Sequence, residues 1–163
     1  MPAMPRHWLM KSEPDEFSID DLAKAPQRTT PWFGVRNYQA RNFMRDEMQL
    51  GDLAFFYHSS CPEPGIAGIV EISRLAYPDA TQFDPQSAYY DAKATRDSPR
   101  WFNVEVKLVR KTRLVTLPEM RSVRGLEDMV ILRRGNRLSI TPVTAAEWKI
   151  VEKLASRNAG SSP

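Results

Sequence analysis

Phe102-Asn103-Val104-Glu105-Val106-Lys107-Leu108 is the stretch on which the reading of the fold turns. Apolar and polar residues alternate one for one, the period of a strand with one face buried and the other in water. Neighbouring segments carry the same signal in weaker form. Leu53-Ala54-Phe55-Phe56-Tyr57 is a continuous apolar and aromatic run, as a buried strand requires. After the turn-forming Cys61-Pro62-Glu63-Pro64-Gly65, residues 66–75 return as the next strand, where Gly65 and Gly68 predict close backbone approach or a bulge. Residues 7–11 read as a short first strand, and residues 138–140 as a late one.

Short helices are signalled between the strands. Ser18-Ile19-Asp20-Asp21 offers an N-cap hydroxyl followed by carboxylates in the first turn, where they suit the helix dipole, and Pro26 keeps that helix short. From Asn37 the apolar positions Ala40, Phe43, Met44 and Met48 fall at helical spacing, and Leu50-Gly51-Asp52 ends that helix. A helical turn is expected near residues 118–122. Thr144-Ala145-Ala146-Glu147 is a capping box opening a last helix to about residue 155. Residues 77–100, with Pro78, Pro85 and Pro99, read as a long ordered loop carrying a binding wall. Strands and short helices without βαβ alternation imply an α+β class with a mostly antiparallel sheet. One domain over residues 1–155 and a flexible tail over 156–163 are expected.

Composition narrows the function classes. The 42% apolar and 26% charged content is that of an ordinary globular protein, and no apolar run approaches the roughly 20 residues of a membrane span, so no membrane partner is expected. A single cysteine, Cys61, excludes an internal disulfide. With no secretory signal pattern, a cytoplasmic protein is the expectation. Charge is unevenly distributed: residues 1–80 hold 8 Lys and Arg against 11 Asp and Glu, whereas residues 81–163 hold 15 against 9. Arg110-Lys111-Thr112-Arg113, Arg121 with Arg124, and Arg133-Arg134-Gly135-Asn136-Arg137 concentrate the excess, a distribution able to track phosphates.

The parts of common catalytic centres are missing. His7, His58 and Cys61 have no metal-ligand spacing, the zinc-deaminase pattern is absent, and there is neither a phosphate-binding loop nor a dinucleotide fingerprint. No cofactor is expected. Pro31-Trp32-Phe33-Gly34-Val35-Arg36-Asn37-Tyr38-Gln39-Ala40-Arg41-Asn42 instead sets aromatic planes beside a glycine hinge, followed by arginines and amides. Such a set can hold a flat polar ring, with faces from the aromatics, edges from the amides and phosphate charge from the arginines. Lys11-Ser12-Glu13-Pro14 follows the first strand, and Tyr57-His58-Ser59-Ser60 ends a buried one. Both strand ends are placed to project polar groups into a pocket.

Trp8-Leu9-Met10-Lys11-Ser12-Glu13-Pro14, Trp32 through Asn42, and Gly51-Asp52 with Phe55-Phe56-Tyr57-His58-Ser59 together resemble the EVE domain, of the PUA-like superfamily. Gly65-Ile66-Ala67-Gly68, Ala76-Tyr77-Pro78-Asp79, Tyr89-Tyr90-Asp91, Pro99-Arg100-Trp101, Arg134-Gly135 and Leu138-Ser139 extend the resemblance over residues 7–153. It implies a PUA-like, mixed β pseudo-barrel flanked by short helices, and a non-catalytic module that binds nucleic acid, DNA or RNA, or a modified nucleotide. A flipped, modified base such as a methylated cytosine would enter an aromatic-walled pocket. Lys11, Ser12, Glu13, Trp32, Phe33, Gly34, Val35, Asn37, Tyr38, Tyr57, His58 and Ser59 would form that pocket, with Arg36 and Arg41 as phosphate or pocket-framing groups. Two positions depart from the family pattern: Phe33 stands where an acidic residue is frequent, and Thr141 precedes Pro142 where a glutamine is frequent. The alternative is a nucleoside-modifying hydrolase of the ASCH type using Lys11, Ser12 and Glu13. That reading requires the strand to break at Ser12, because successive strand residues face opposite sides.

Overall fold

The computed structural model describes residues 6–157. Six strands, β1 (His7–Ser12), β2 (Thr29–Pro31), β3 (Leu53–His58), β4 (Gly65–Pro78), β5 (Phe102–Thr116) and β6 (Ile140–Val143), form one sheet in the order β2-β5-β4-β3-β1-β6. Every pairing is antiparallel except that of β1 with β3. The class is therefore α+β with a mixed, mostly antiparallel sheet, as the alternating stretch in β5 predicts. β4 and β5 run for 14 and 15 residues and shift register four times along their pairing. Such bulges bend and twist the long strands, giving the sheet its curl.

Side-chain alternation divides the core in two. Trp8 and Met10 of β1, Phe56 of β3, Val70 and Ile72 of β4 and Val104 and Val106 of β5 lie in one cluster with α1 (Ile19–Lys24) and α2 (Tyr38–Asn42). Leu9, Phe55, Tyr57, Ile69 and Val115 point the other way. There they meet α3 (Leu117–Arg121) and α4 (Ala145–Ala155), whose Trp148 stacks on Phe55 at 3.9 Å between ring centroids. Burying both faces explains why Leu53–His58 reads as an unbroken apolar run.

The capping chemistry holds at each helix. Ser18 and Thr144 each make a full capping box, with Asp21 and Glu147, and Asn37 Oδ1 accepts from the Ala40 amide at 3.0 Å. Beyond Asn42 the chain winds on as a π-helical turn, Phe43–Glu47, which buries Met44. α1 lies directly on β4: a Cβ on Gly68 would come within 2.5 Å of the Ile19 Cδ1 atom, so the glycine predicted to permit close approach does so here.

Two strands differ from the sequence reading. β2 falls between Pro26 and Asn37, where the sequence signals no element, because three residues show no period. The late strand lies at Ile140–Val143 rather than 138–140 and contains Pro142. Both β2 and β6 are end strands of the sheet, where Pro31 and Pro142 cost no ladder hydrogen bond. The expected tail lies, beyond Arg157, outside the described residues.

Candidate functional site

Three strand ends converge at one side of the sheet. β1 and β3 run parallel and finish together, Ser12 beside His58, and β6 begins there in the opposite sense. The Ser59 amide donates to the Ser12 carbonyl at 3.0 Å, and the Lys11 amide to the Ser139 carbonyl at 2.9 Å. A cavity of about 510 Å³ opens at this junction, a size typical of small-molecule sites.

One wall is the end of β1. Lys11, Ser12 and Glu13 all border the cavity. The strand stops at Ser12, and the turn is closed by the Glu16 and Phe17 amides, each donating to the Glu13 carbonyl at 2.9 Å. Alternation still separates Lys11 from Ser12 within the strand and ends before Glu13. Glu16 and Phe17 join the same wall. The Ser12 hydroxyl donates to the Phe17 carbonyl at 2.6 Å. Lys11 is partly buried, which pushes its pKa below the ordinary lysine value, and it forms no ion pair among the described residues.

The facing wall is residues 30–37, including Trp32, Phe33, Gly34, Val35, Arg36 and Asn37. Trp32 is only 7% exposed and meets Phe56 edge-on at 5.4 Å, so its indole belongs to the core while bordering the cavity. Phe33 is 51% exposed at the mouth and lies 6.0 Å, edge-on, from the Tyr89 ring. Ser59, Ser60, Tyr89, Arg137 and Ser139 complete the lining.

Asp79, wholly buried, holds this wall in place. Its carboxylate accepts from the Gly34 amide at 2.7 Å, from the Thr81 amide at 2.8 Å and hydroxyl at 2.5 Å, and from Arg36 at 3.2 Å. Burial alone would raise the Asp79 pKa; the Gly34 amide, Thr81 and Arg36 together outweigh it and hold the carboxyl below its ordinary value. Arg36 also donates to the Tyr89 carbonyl at 2.7 and 3.1 Å, to the Val35 carbonyl at 2.9 Å and to the Thr81 hydroxyl at 3.0 Å. Its fork is spent on the protein's own carbonyl, carboxylate and hydroxyl groups. Gly34 has φ +85°, and a Cβ there would sit 2.8 Å from the Tyr89 ring, so the turn needs glycine for both reasons.

Three expected pocket residues, and Arg41 of the two expected phosphate or framing arginines, lie elsewhere. Tyr57 points to the opposite face of the sheet by strand alternation, beside Leu9 and Phe55, and burial pushes its phenol pKa up to about 12. His58 turns toward α1, where its Nε2 accepts from the Ile19 amide at 3.1 Å. Tyr38, the first residue of α2, stacks on Trp101 at 4.8 Å and accepts from Arg100 at 2.5 Å. Arg41 packs 4.6 Å from the Tyr38 ring centroid and donates to the Arg100 carbonyl at 2.9 Å. The phenol at the cavity comes instead from Tyr89, some fifty residues along the chain; its signal was the Tyr89-Tyr90-Asp91 motif, and that of Arg137 its basic cluster. Thr141 is fully buried opposite Leu9 and does not border the cavity. Among the described residues no group of three His, Cys, Asp or Glu could hold a metal, and no helix is long and apolar enough to cross a membrane.

Comparison with known proteins places this architecture. A sequence model of the EVE domain matches residues 6–154. Human thymocyte nuclear protein 1 is 46% identical over 169 aligned residues, spanning 93% of this chain and 74% of that protein. A Pseudomonas putida protein of known structure superposes with a TM-score of 0.87 at 51% identity, covering 91% of this chain and 99% of its own. The human THYN1 protein, solved in complex with DNA containing 5-methylcytosine, gives 0.89 at 45% identity over 94% and 99% of the two chains. A match across nearly every described residue, with relatives this similar, means that the chain belongs to the EVE domain family.

Proposed function

We propose that this protein is a non-catalytic DNA-binding module that takes a flipped, modified base of the 5-methylcytosine class into the cavity at the end of β1. The observation that carries the reading is the cavity itself: the aromatic residues Trp32, Phe33 and Tyr89 and the polar residues Lys11, Glu13 and Asn37 all border it. Its likeness to the human protein solved with methylated DNA supports the choice of ligand. Aromatic stacking contributes roughly 1–3 kcal/mol per base, comparable to the few kcal/mol needed to extrude one from a duplex. Lys11 donates to an acceptor on the ring edge and Glu13 accepts from an exocyclic amine, a pairing that suits cytosine.

A methyl group adds only about 0.8 kcal/mol on burial, so preference for the methylated base is expected to be about fourfold. Competition between methylated and plain duplexes of one sequence measures it. Phe33→Ala, at an exposed position, weakens binding without unfolding the domain; Trp32→Ala abolishes the preference and also destabilises the core by about 3–5 kcal/mol. Equal affinity of the wild-type protein for both duplexes would sink the base reading.

The hydrolase alternative draws support from Lys11, Ser12 and Glu13 meeting at one cavity. Against it, the Ser12 proton is directed at the Phe17 carbonyl rather than at a base. Release of product from acylated nucleosides, lost in Lys11→Ala, would reverse the assignment.

A further inference from the structure

Of the large apolar side chains that lie exposed among the described residues, Phe33 alone borders the cavity. Its neighbours Trp32 and Val35 are buried, whereas Phe33 is half in water at the mouth. A single exposed apolar side chain is ordinary on a protein surface. Phe33 is set apart by its place at the rim and by the rigidity of the turn that carries it.

The backbone is held on both sides of it. Before Phe33, the Trp32 amide donates to the Val104 carbonyl of β5 at 2.8 Å, next to the pairing of β2 with β5. After it, the Gly34 amide donates to Asp79 at 2.7 Å, and Arg36 donates to the Val35 carbonyl at 2.9 Å. Gly34, at φ +85°, turns the chain directly beyond the ring. The ring itself meets Tyr89 edge-on, with 73° between the planes. Tyr89 is braced in turn: Arg36 holds its carbonyl at 2.7 Å, and its phenol donates to Glu16 of the β1 wall at 3.3 Å.

We infer that Phe33 is a wedge: when a base leaves the duplex for the cavity, the phenyl ring enters the slot the base vacates and stacks between the flanking base pairs. This role rests on the flipped-base reading above. Slot and cavity are one nucleotide apart, so the group that fills the slot must stand at the rim of the cavity, as Phe33 does. Apolar side chains inserted between base steps, phenylalanine among them, hold such steps open. A flat six-membered ring also offers a π-face to the base on either side, as the departed pyrimidine did. Filling the slot opposes return of the base, whose extrusion is otherwise unfavourable. A ring on a mobile loop would lose much of this gain in ordering; the locked turn avoids that loss.

The test compares one labelled sequence containing 5-methylcytosine as a duplex and as a single strand, by fluorescence anisotropy at one fixed salt concentration. A single strand leaves no slot, so only the duplex uses a wedge. Because Phe33 starts 51% exposed, burying the rest of its side chain favours duplex binding about four- to twelvefold. Phe33→Ala is therefore expected to lose about that factor more affinity for the duplex than for the single strand. Phe33→Leu, which still projects an apolar group but no ring face, recovers most of the difference. Thermal melts of both variants check that the domain is folded. Equal losses on duplex and single strand in Phe33→Ala would mean that the ring only walls the cavity, and would overturn the wedge. A Phe33→Leu variant no better than alanine on the duplex would do the same. If the wild type shows no methyl preference while Phe33→Ala still loses duplex binding selectively, the choice of base fails and the wedge stands. If the wild type prefers the methylated single strand yet does not bind the duplex, the pocket stands and the wedge falls.

Discussion

Replacing Asp79 by asparagine tests how the pocket wall is held. The substitution keeps shape and removes charge, and it turns one accepting oxygen into a donor facing the Gly34 amide, Arg36 or Thr81. Hydrogen bonds to a charged group contribute about 1.5–3 kcal/mol each in net terms. Breaking a fully buried ion pair costs about 3–5 kcal/mol, but the Arg36 side chain is 22% exposed and keeps its carbonyl partners, so the loss here is smaller. We expect about 2–4 kcal/mol, which for a domain of this size lowers the unfolding midpoint by roughly 4–16 °C. Urea denaturation and thermal melts measure it, alongside binding of the methylated duplex. The acid limb provides an internal control. Because the native Asp79 pKa lies below its ordinary value, its stabilisation is complete above about pH 4 and is lost as pH falls through the depressed native value. Asp79→Asn lacks that segment of the profile. A variant melting within a degree of wild type, with equal affinity for the duplex, would refute the assignment of Asp79 as the anchor of this wall.

His58 gives a second pH signature: burial lowers its pKa, partly opposed by Asp20, and its Nε2 must be unprotonated to accept from Ile19. The unfolded chain takes up that proton near pH 6.5, so stability is complete above this value and declines below it; His58→Gln, which can still accept, shows a shallower decline in melts between pH 7.5 and 5, with His7 supplying the remainder. An unchanged decline would exclude His58 as its source. Gly34→Ala is expected to cost about 1–2 kcal/mol for the left-handed backbone, and to displace Tyr89 as well, weakening methylated and plain duplexes alike. Wild-type melting and binding in that variant would remove the turn from the site.

Local signals were legible and tertiary ones were not. The alternation of Phe102–Leu108, the N-cap at Ser18, the capping box at Thr144 and the helical spacing from Asn37 each lie within a few residues; each produced the element expected, save that the last gives way to a π-helical turn beyond Asn42. β2 was invisible because its three residues are defined only by pairing with β5. The contiguous runs Lys11–Glu13 and Trp32–Asn37 reach the cavity because each forms one wall. Tyr57 lies away from the cavity because a strand buried on both faces hides which parity faces it, and His58 because its ring is taken by the Ile19 amide. Asp79 and Tyr89 are marked in the sequence only by the motifs that contain them, not by any sign of their partners; the folded long loop brings them to Gly34 and Arg36.

β1 sits between β3 and β6, so the first of the six described strands is completed by the last. During synthesis, an emerging polypeptide can pair β1 with β3 long before Ser139 exists to accept from Lys11 or Arg137 to edge the cavity. Loop closure across that separation comes late and slowly. A ribosome-bound nascent chain is therefore expected to hold most of the sheet yet no ligand, and binding competence arises only once β6 has left the exit tunnel.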